Sequence, residues 1–304
     1  MVFPLSNQMK IVFFAASLVA LALGWIATAE PIPDSHKISG FALGCQAYSF
    51  NRFTLFEAIE KTEQTGSKVI EFYPGQSLSP DRRGIKWDHM ASDELIAEVK
   101  AKLQKHGIRG VGYGVVTLPN EETAARKIFA FAHKMGLFGI TTESIDSLDI
   151  AERLAKEYDL RVGIHEHAKR FKKDASGQMV EDPTYKVWNP VYIAEVVKNR
   201  DLRIGACADI GHWQTSGIRA IDGLRALRGR IVSLHMKERA ALGAGQHDII
   251  FGTGTTDMAG VLNELKAQGF SGNISIEYEF NWDNSVPDIA QCVGFVRGWS
   301  PKKL

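Results

Sequence analysis

The chain has 304 residues, with 36 Lys and Arg residues against 35 Asp and Glu residues and a formal net charge of +1. This balance gives no support for nucleic acid or an anionic membrane as a partner, because both favour basic protein surfaces. The three cysteines are too widely spaced to suggest a disulfide framework, so we expect Cys45, Cys207 and Cys292 to be small buried apolar residues.

The N-terminus has the features of a secretory leader. Lys10 is followed by the apolar run IVFFAASLVALALGWIATA, which ends in an A-T-A tripeptide at Ala29. A positive residue, an apolar segment and an A-x-A ending predict a signal peptide over 1–29 that is cleaved after Ala29, with an uncleaved anchor as the alternative. We therefore expect a periplasmic or secreted protein with no membrane contact beyond the leader, and a mature part, 30–304, of about 275 residues.

Eight β-rich runs alternate with amphipathic segments through the mature chain. In order, the predicted strands are GFALGCQAY (40–48), KVIEFY (68–73), RGVGYGVV (109–116), LFGITTE (137–143), LRVGIHEH (160–167), RIGACAD (203–209), RIVSLHMKE (230–238) and GNISIEYE (272–279). Between them lie segments such as SDELIAEVKAKLQKHG, in which apolar residues recur at the three- and four-residue steps of a helix. This alternation predicts an α/β protein, a single-domain (β/α)8 TIM barrel over 30–304. A doubly wound open sheet is the alternative, but no glycine-rich dinucleotide fingerprint follows the first strand.

The longest irregular stretch, AKRFKKDASGQMVEDPTYKVWNP at 168–190, follows the fifth predicted strand. Long loops inside compact domains are commonly functional, for example as lids over a site. Tyr185 and Trp188 favour a segment that covers a substrate, and a solvated insertion is the alternative.

Acidic and imidazole side chains collect at the C-terminal ends of five consecutive predicted strands. They are Glu143 on strand four, His165, Glu166 and His167 on strand five, Asp209 and His212 on strand six, His235, Lys237 and Glu238 on strand seven, and Glu277 and Glu279 on strand eight. In a TIM barrel the active site forms at this end of the strands. Taken alone, a strand-end Asp such as Asp209 more often caps the following helix.

Several carboxylates that converge on one point repel each other unless a cation lies between them. A divalent ion held by Glu143, Asp209, His235 and Glu277 would remove this conflict. Three carboxylates and one imidazole suit Mn²⁺, Mg²⁺ or Zn²⁺, and the oxygen-rich set favours the harder ions.

At these residues the sequence resembles the xylose isomerase-like TIM-barrel superfamily, often described as the sugar phosphate isomerase/epimerase family, over essentially all of the mature chain. The most specific motifs are DIGHW on strand six, SLHMKE on strand seven and SIEYE on strand eight. The resemblance implies that Asp209, His235 and Glu277 bind the metal ion and that His212 contacts the substrate.

Strand five departs from the family pattern. Many members take their first carboxylate ligand from this strand, where the present chain has His165 in the motif IHEH. Glu143 is then the expected replacement ligand, and His165 is the second choice. The ends of strands two and three carry Glu71, Tyr73 and Tyr113, where the apurinic endonucleases of this fold use extra histidines, so a DNA-repair role is not expected.

The resemblance implies proton removal next to a carbonyl, with the metal ion as a Lewis acid that stabilises an enediolate. The expected function is that of a metal-dependent isomerase or epimerase of an unphosphorylated sugar or keto-sugar, since phosphosugars belong mainly to the cytoplasm. The alternatives are a lyase or dehydratase that acts on a 3-keto-glycoside and a non-catalytic carbohydrate-binding barrel. The expected partner is a small carbohydrate, and self-association of the chain is left open.

Two sets of side chains are expected to serve this chemistry. The candidate proton-transfer groups are Glu277, Lys237, His212, His165 and His167. The candidate substrate-binding groups are Tyr48, Glu71, Tyr73, Trp213 and Trp282. Aromatic rings can stack on the C–H faces of sugars, although buried aromatic residues are common in any core.

Overall fold

The structure is a computed structural model that describes residues 31–301, and its central feature is a ring of eight parallel strands. The strands are β1 (Ala42–Gln46), β2 (Val69–Phe72), β3 (Arg109–Tyr113), β4 (Gly139–Thr142), β5 (Arg161–His165), β6 (Ile204–Asp209), β7 (Ile231–Met236) and β8 (Asn273–Ile276). Each strand pairs with its neighbours in chain order, and β8 pairs with β1 to close the barrel. The predicted (β/α)8 barrel is confirmed, and all eight predicted strands are present with shortened ends.

Helices surround this ring. They are α1 (Leu55–Gln64), α2 (Asp93–Lys105), α3 (Glu122–Met135), α4 (Leu148–Tyr158), α5 (Pro190–Val197), α6 (Ile210–Thr215), α7 (Ala220–Ala226), α8 (Met258–Ala267) and α9 (Val286–Gly298). Helix α1 begins where the Thr54 side chain accepts a hydrogen bond from the backbone of Glu57, and the Glu57 carboxylate accepts one from the backbone of Thr54. This capping box satisfies two backbone donors that a helix start leaves unpaired.

The apolar core lies between the strands and the helices. The outward-facing strand residues Ile70, Ile140, Ile164, Leu234 and Ile276 are at most 1% exposed and belong to one continuous hydrophobic cluster. Complete burial of such a side chain contributes about 1.5–3 kcal/mol. The core therefore holds the strands in place, and the inward-facing positions are free to carry polar residues.

The stretch 168–190 is more ordered than its sequence suggests. It contains an antiparallel hairpin of Phe171–Lys173 and Met179–Glu181, and these two short strands are largely exposed. The hairpin follows β5 and therefore rises from the same end of the barrel as the predicted site. A second small hairpin, Gln76–Ser77 with Lys86–Trp87, follows β2.

The predicted leader over 1–29 lies outside the described residues. Within 31–301, none of the helices has both the length and the apolar character that a bilayer span requires. All three cysteines are buried and free, as predicted.

Candidate active site

Four side chains from neighbouring barrel strands meet at the C-terminal mouth of the barrel. His165 ends β5, Asp209 ends β6, His235 lies on β7 and Glu277 directly follows β8. One ligand-type atom of each lies within 4.8 Å of those of the other three. Asp209 Oδ2 is 3.5 Å from His165 Nε2 and 3.7 Å from His235 Nδ1, which is 3.1 Å from Glu277 Oε2. Ligands bound about 2.1 Å from one ion lie about 3.0–3.4 Å apart, so this four-ligand cluster is compatible with a shared cation.

The donor atoms of the four-ligand cluster are buried and short of partners. Among residues 31–301, His165 Nε2, Asp209 Oδ2 and His235 Nδ1 have no partner with hydrogen-bond geometry. Each unpaired buried polar atom costs about 1–3 kcal/mol. A divalent ion would satisfy all three at once, and two imidazoles with two carboxylates are ligands that such ions accept. The residues present therefore fit a divalent metal ion.

Asp209 serves the helix as well as the cluster. Its Oδ1 accepts a hydrogen bond of 2.8 Å from the backbone N–H of His212, which caps the start of α6. Oδ2 faces the other ligand atoms. Burial alone would raise the pKa of Asp209, but its Coulombic interactions with His212 and Lys237 lower it well below its usual value. The helix cap and the candidate metal ligand are thus two oxygens of one carboxylate.

Glu71 forms the floor of the cluster. It is completely buried, and its Oε2 accepts hydrogen bonds from His235 Nε2 at 3.2 Å and from Ser275 Oγ at 2.6 Å. Its Oε1 accepts a bond of 2.8 Å from Thr141. Burial acts to raise the pKa of Glu71, but His235 and these hydroxyl groups lower it. With Nε2 donating to Glu71, His235 presents the lone pair of Nδ1 to the cluster, which is the arrangement that metal-binding histidines adopt.

Lys237 supplies a fixed positive charge beside the cluster. Its Nζ lies 2.8 Å from Glu277 Oε2, 2.8 Å from Glu279 Oε2 and 3.2 Å from Asp209 Oδ2, and of these three ion pairs only the one with Glu279 has hydrogen-bond geometry. Burial would lower the pKa of Lys237, but these carboxylates raise it well above its usual value. Lys237 therefore already reduces the repulsion among the strand-end carboxylates. The case for a metal ion depends on the unpaired donor atoms and not on that repulsion.

Glu143 is not among the four converging ligands, contrary to its expected role. The imidazole of His165 lies between Glu143 and Asp209, because Nδ1 is 3.2 Å from Glu143 Oε1 and Nε2 is 3.5 Å from Asp209 Oδ2. The ring thereby occupies the place through which Glu143 would have to reach the cluster. His165, the second choice, instead supplies the fourth ligand-type atom of the cluster.

A cavity of about 300 Å³ opens beside the cluster. Its wall consists of Gln46, Tyr48, Tyr73, Pro74, Gly114, Val115, Glu143, His165, His167, His212, Glu277 and Glu279. The ring centroids of His167 and His212 are 4.2 Å apart, and burial lowers the pKa of both imidazoles. Three imidazoles and three carboxylates thus face one small space, and none of the lining residues is a lysine or an arginine. Lys237, a predicted proton-transfer group, lies behind Glu277 and outside this wall.

Three of the five predicted substrate-binding residues lie at the rim of this cavity. Tyr48 and Tyr73 line it with their rings 5.3 Å apart, and Trp282 packs edge-on against Tyr48 at 5.9 Å. Glu71 lies beneath His235 and not in the cavity wall. Trp213 is also completely buried, because its ring lies in the hydrophobic core and packs against Gly223 of α7.

Glu279 and Gln46 also line the cavity, although neither was assigned to metal binding, proton transfer or substrate binding. The sequence places Glu279 near the end of strand eight on the same strand face as Glu277, so alternation along the strand predicts that both face the cavity. Gln46 donates to the carbonyl of Gly114 and accepts from the backbone of Tyr48, which holds the rim in shape. No sequence signal marks Gln46.

The barrel and the four-ligand cluster define a TIM-barrel protein with a candidate metal centre at the mouth. A family model described as xylose isomerase-like TIM barrel matches residues 141–295, which include all four ligand residues. The chain belongs to this family. No curated protein matches the chain.

Solved structures share the fold. An uncharacterized protein from Parabacteroides distasonis is 30% identical, with a TM-score of 0.66, and the match covers 85% of this chain and 98% of that one. D-allulose 3-epimerase from Methylomonas sp. is 15% identical, with a TM-score of 0.59 and coverage of 84% and 96%. The 3-keto-D-glucoside 4-epimerase from E. coli is 14% identical, with a TM-score of 0.59 and coverage of 84% and 99%.

Proposed function

We propose that the protein is a divalent-metal-dependent isomerase or epimerase that acts on an unphosphorylated sugar or keto-sugar. The observation that carries this proposal is the convergence of His165, Asp209, His235 and Glu277 beside a cavity lined by carboxylates and imidazoles. Structural neighbours that act on free ketoses and on keto-glucosides, such as D-allulose 3-epimerase and 3-keto-D-glucoside 4-epimerase, support it.

The charge of the cavity supports an unphosphorylated substrate. Glu143, Glu277 and Glu279 line it without a lysine or arginine in the wall, so a phosphate group in the cavity would face three carboxylates and no basic side chain of the wall. The leader predicted over 1–29 favours the same substrate class, because an exported enzyme meets few phosphosugars. Tyr48 and Tyr73 provide aromatic faces at the rim for the C–H groups of a sugar ring.

A metal ion held by the four-ligand cluster would polarise the carbonyl and hydroxyl oxygens of the substrate. The chain itself supplies the groups that move the proton. Glu277 belongs to both the cluster and the cavity wall, so we assign it the proton transfer at the carbon next to the carbonyl. Lys237, with Nζ 2.8 Å from Glu277 Oε2, holds that carboxylate in position from behind. His212 and His167, in contact with each other at the wall, are assigned the second proton transfer.

The same pair of imidazoles favours a second candidate reaction. An acid that protonates a leaving oxygen would turn the same proton abstraction into an elimination from a 3-keto-glycoside. His167 and His212 both line the cavity, so either imidazole is available to a substrate bound there as such an acid. A lyase or dehydratase is therefore the alternative outcome of the same site.

The test combines metal analysis with solvent-exchange chemistry. Chelator-treated protein would be reloaded with Mn²⁺, Mg²⁺ or Zn²⁺ and incubated in D₂O with unphosphorylated ketoses and 3-keto-glycosides, and NMR would follow deuterium at the carbon next to the carbonyl. We expect metal-dependent deuterium incorporation with an isomeric product, and loss of both in Glu277→Gln with the circular dichroism spectrum unchanged. Release of the aglycone together with loss of the C–H signal at that carbon, where the elimination leaves a double bond, would identify the lyase. Sugar binding without exchange for any substrate would overturn the enzymatic proposal in favour of a carbohydrate-binding barrel.

A further inference from the structure

Glu143 connects the four-ligand cluster to the hairpin segment 168–190. Its Oε1 lies 3.2 Å from His165 Nδ1, on the side of the ring opposite the cluster. Its Oε2 accepts hydrogen bonds of 3.2 Å from Arg170 Nη2 and of 3.2 Å from the hydroxyl of Tyr185. One carboxylate is thus shared between a candidate metal ligand and the two ends of the hairpin.

The contact with His165 determines which ring nitrogen is available to a metal ion. A neutral imidazole carries its proton on only one nitrogen. When Nδ1–H donates to Glu143, the lone pair of Nε2 points toward Asp209 Oδ2, 3.5 Å away. His165 Nε2 is also one of the unpaired buried atoms of the cluster. The contact with Glu143 therefore bears on both the orientation and the tautomer of the His165 ring.

The hairpin holds Glu143 through a compact set of contacts. Arg170 precedes the first strand of the hairpin, and its guanidinium carbon lies 3.8 Å from the centroid of the Tyr185 ring. The carbonyl of Arg170 also accepts a bond of 2.8 Å from the backbone of Asp182, which closes the base of the hairpin. The exposed side chains of Phe171 and Met179, on the two strands of the hairpin, make no contribution to these bonds.

We propose that Glu143 is a positioning residue for His165 and that Arg170 and Tyr185 couple the hairpin to the metal site through it. This inference rests on the proposed function only in requiring that the four-ligand cluster binds a divalent ion. Carboxylates that hold a metal-binding histidine typically change metal affinity by about 10- to 100-fold when they are removed. The hairpin then affects metal affinity although none of its residues reaches the ion.

The first experiment measures Zn²⁺ and Mn²⁺ affinity by competition with a chromophoric chelator. We expect Glu143→Ala to weaken binding by about 10- to 100-fold, and Glu143→Gln to weaken it less, because the amide oxygen still accepts from Nδ1. Tyr185→Phe should weaken binding by a smaller factor. Tyr192→Phe is the matched control, because Tyr192 packs on the core from α5, and it should leave the affinity unchanged.

A double-mutant cycle separates positioning from direct ligation. If Glu143 acts only through His165, Glu143→Ala will cause no further loss of affinity in a His165→Ala background. Additive losses would mean that Glu143 binds the ion itself and would overturn the inference. Unchanged affinity of Glu143→Ala in the wild-type background would also overturn it, and equal affinities of Tyr185→Phe and Tyr192→Phe would remove the coupling to the hairpin.

A second readout is independent of metal loading. In metal-free protein with ¹⁵N-labelled histidine, long-range ¹H–¹⁵N spectra report which ring nitrogen carries the proton. We expect His165 to be protonated on Nδ1 in the wild-type protein and in Tyr192→Phe, and to lose this preference in Glu143→Ala. A His165 tautomer that is the same in Glu143→Ala as in the wild-type protein would contradict the positioning role. If the wild-type protein binds no divalent ion, the proposed function fails together with this inference. If the wild-type protein binds the ion but Glu143→Ala changes neither the affinity nor the tautomer, only this inference fails.

Discussion

Glu71 Oε2 and His235 Nε2 are 3.2 Å apart at the floor of the site, and both side chains are completely buried. The carboxylate thus fixes the imidazole so that Nδ1 faces Asp209 and Glu277. Glu71, which was predicted to bind the substrate, instead supports a candidate metal ligand. Glu71 and Glu143 play the same part for the two histidines of the cluster, one from below and one from the rim.

The first prediction concerns this support. Glu71→Gln replaces the charged acceptor beneath His235 with a neutral amide oxygen, and we expect the affinity for Zn²⁺ or Mn²⁺ to fall by about 10-fold, the lower end of the effect of removing such a carboxylate. Isothermal titration calorimetry on chelator-treated protein measures the change. Glu264→Gln is the matched control, because Glu264 pairs with Arg225 and Arg228 at the outside of the barrel. Equal affinities of the two variants would contradict the role assigned to Glu71.

The second prediction separates the two functions of Asp209. Asp209→Asn and Asp209→Ala both remove the charged ligand oxygen, so both should lose metal binding. Only Asn retains an oxygen that can accept from the backbone of His212. In urea denaturation with chelator present, the free energy of unfolding of the Ala variant should be lower than that of the Asn variant by about 1 kcal/mol, the usual value of a helix cap. Equal stabilities would show that the cap contributes nothing.

The third prediction uses the close approach of α6 to Lys237. A Cβ placed on Gly211 would lie 2.5 Å from Lys237 Cβ and 2.9 Å from its Cδ, so Gly211→Ala must displace the lysine stem. We expect a loss of about 1–3 kcal/mol in the free energy of unfolding and a reduced rate of any metal-dependent turnover, because Nζ moves away from Glu277.

The control for this substitution is Gly294→Ala in α9, where an added Cβ would meet no heavy atom of the described chain within 4 Å outside its own helix. That change should stabilise the protein by up to about 1 kcal/mol through helix propensity. Similar effects of both substitutions on stability and turnover would rule out the steric explanation.

The fourth prediction concerns pH and a buried acid next to the site. Asp248 is 1% exposed, its Oδ2 accepts from the backbone of Glu279 at 2.6 Å, and its Oδ1 is 3.2 Å from Arg239 Nε. Burial raises its pKa from 3.8 to about 6. Between these values the folded protein holds a proton that the unfolded chain has released, so the contribution of Asp248 to stability is full below about pH 4 and is lost as the pH rises through about 6.

The measurement compares wild-type protein with Asp248→Asn, which cannot titrate. From pH 4 to pH 6 the free energy of unfolding of the wild-type protein should fall relative to that of the variant by about 1.4 kcal/mol per pH unit. Urea denaturation in chelator-containing buffers at pH 4, 5, 6 and 7 gives these differences. Parallel curves for the two proteins would show that Asp248 keeps an ordinary pKa.

Position near a strand end predicted three of the four converging side chains. Asp209, His235 and Glu277 each lie at or near the C-terminal end of a predicted strand, and the closed barrel brings them together. Glu143 obeys the same rule but is not one of the converging ligands. The position of a residue along a strand determines at which end of the barrel its side chain lies. Whether that side chain reaches the cluster depends also on its length and on which neighbouring side chain fills the space between.

The sequence by itself determined the alternation of strands and helices. That alternation determined the (β/α)8 barrel and the end of the barrel at which the polar side chains gather. Hydrophobic periodicity is a local property, and burial of the apolar face admits few arrangements of eight such repeats. Only the tertiary structure decided that His165 stands in front of Glu143, that Glu71 supports His235, and that Lys237 neutralises the carboxylates beside the cluster. These relationships join residues on different strands, from 22 to 164 positions apart in the chain, and they follow from the register and closure of the barrel, which no local pattern encodes.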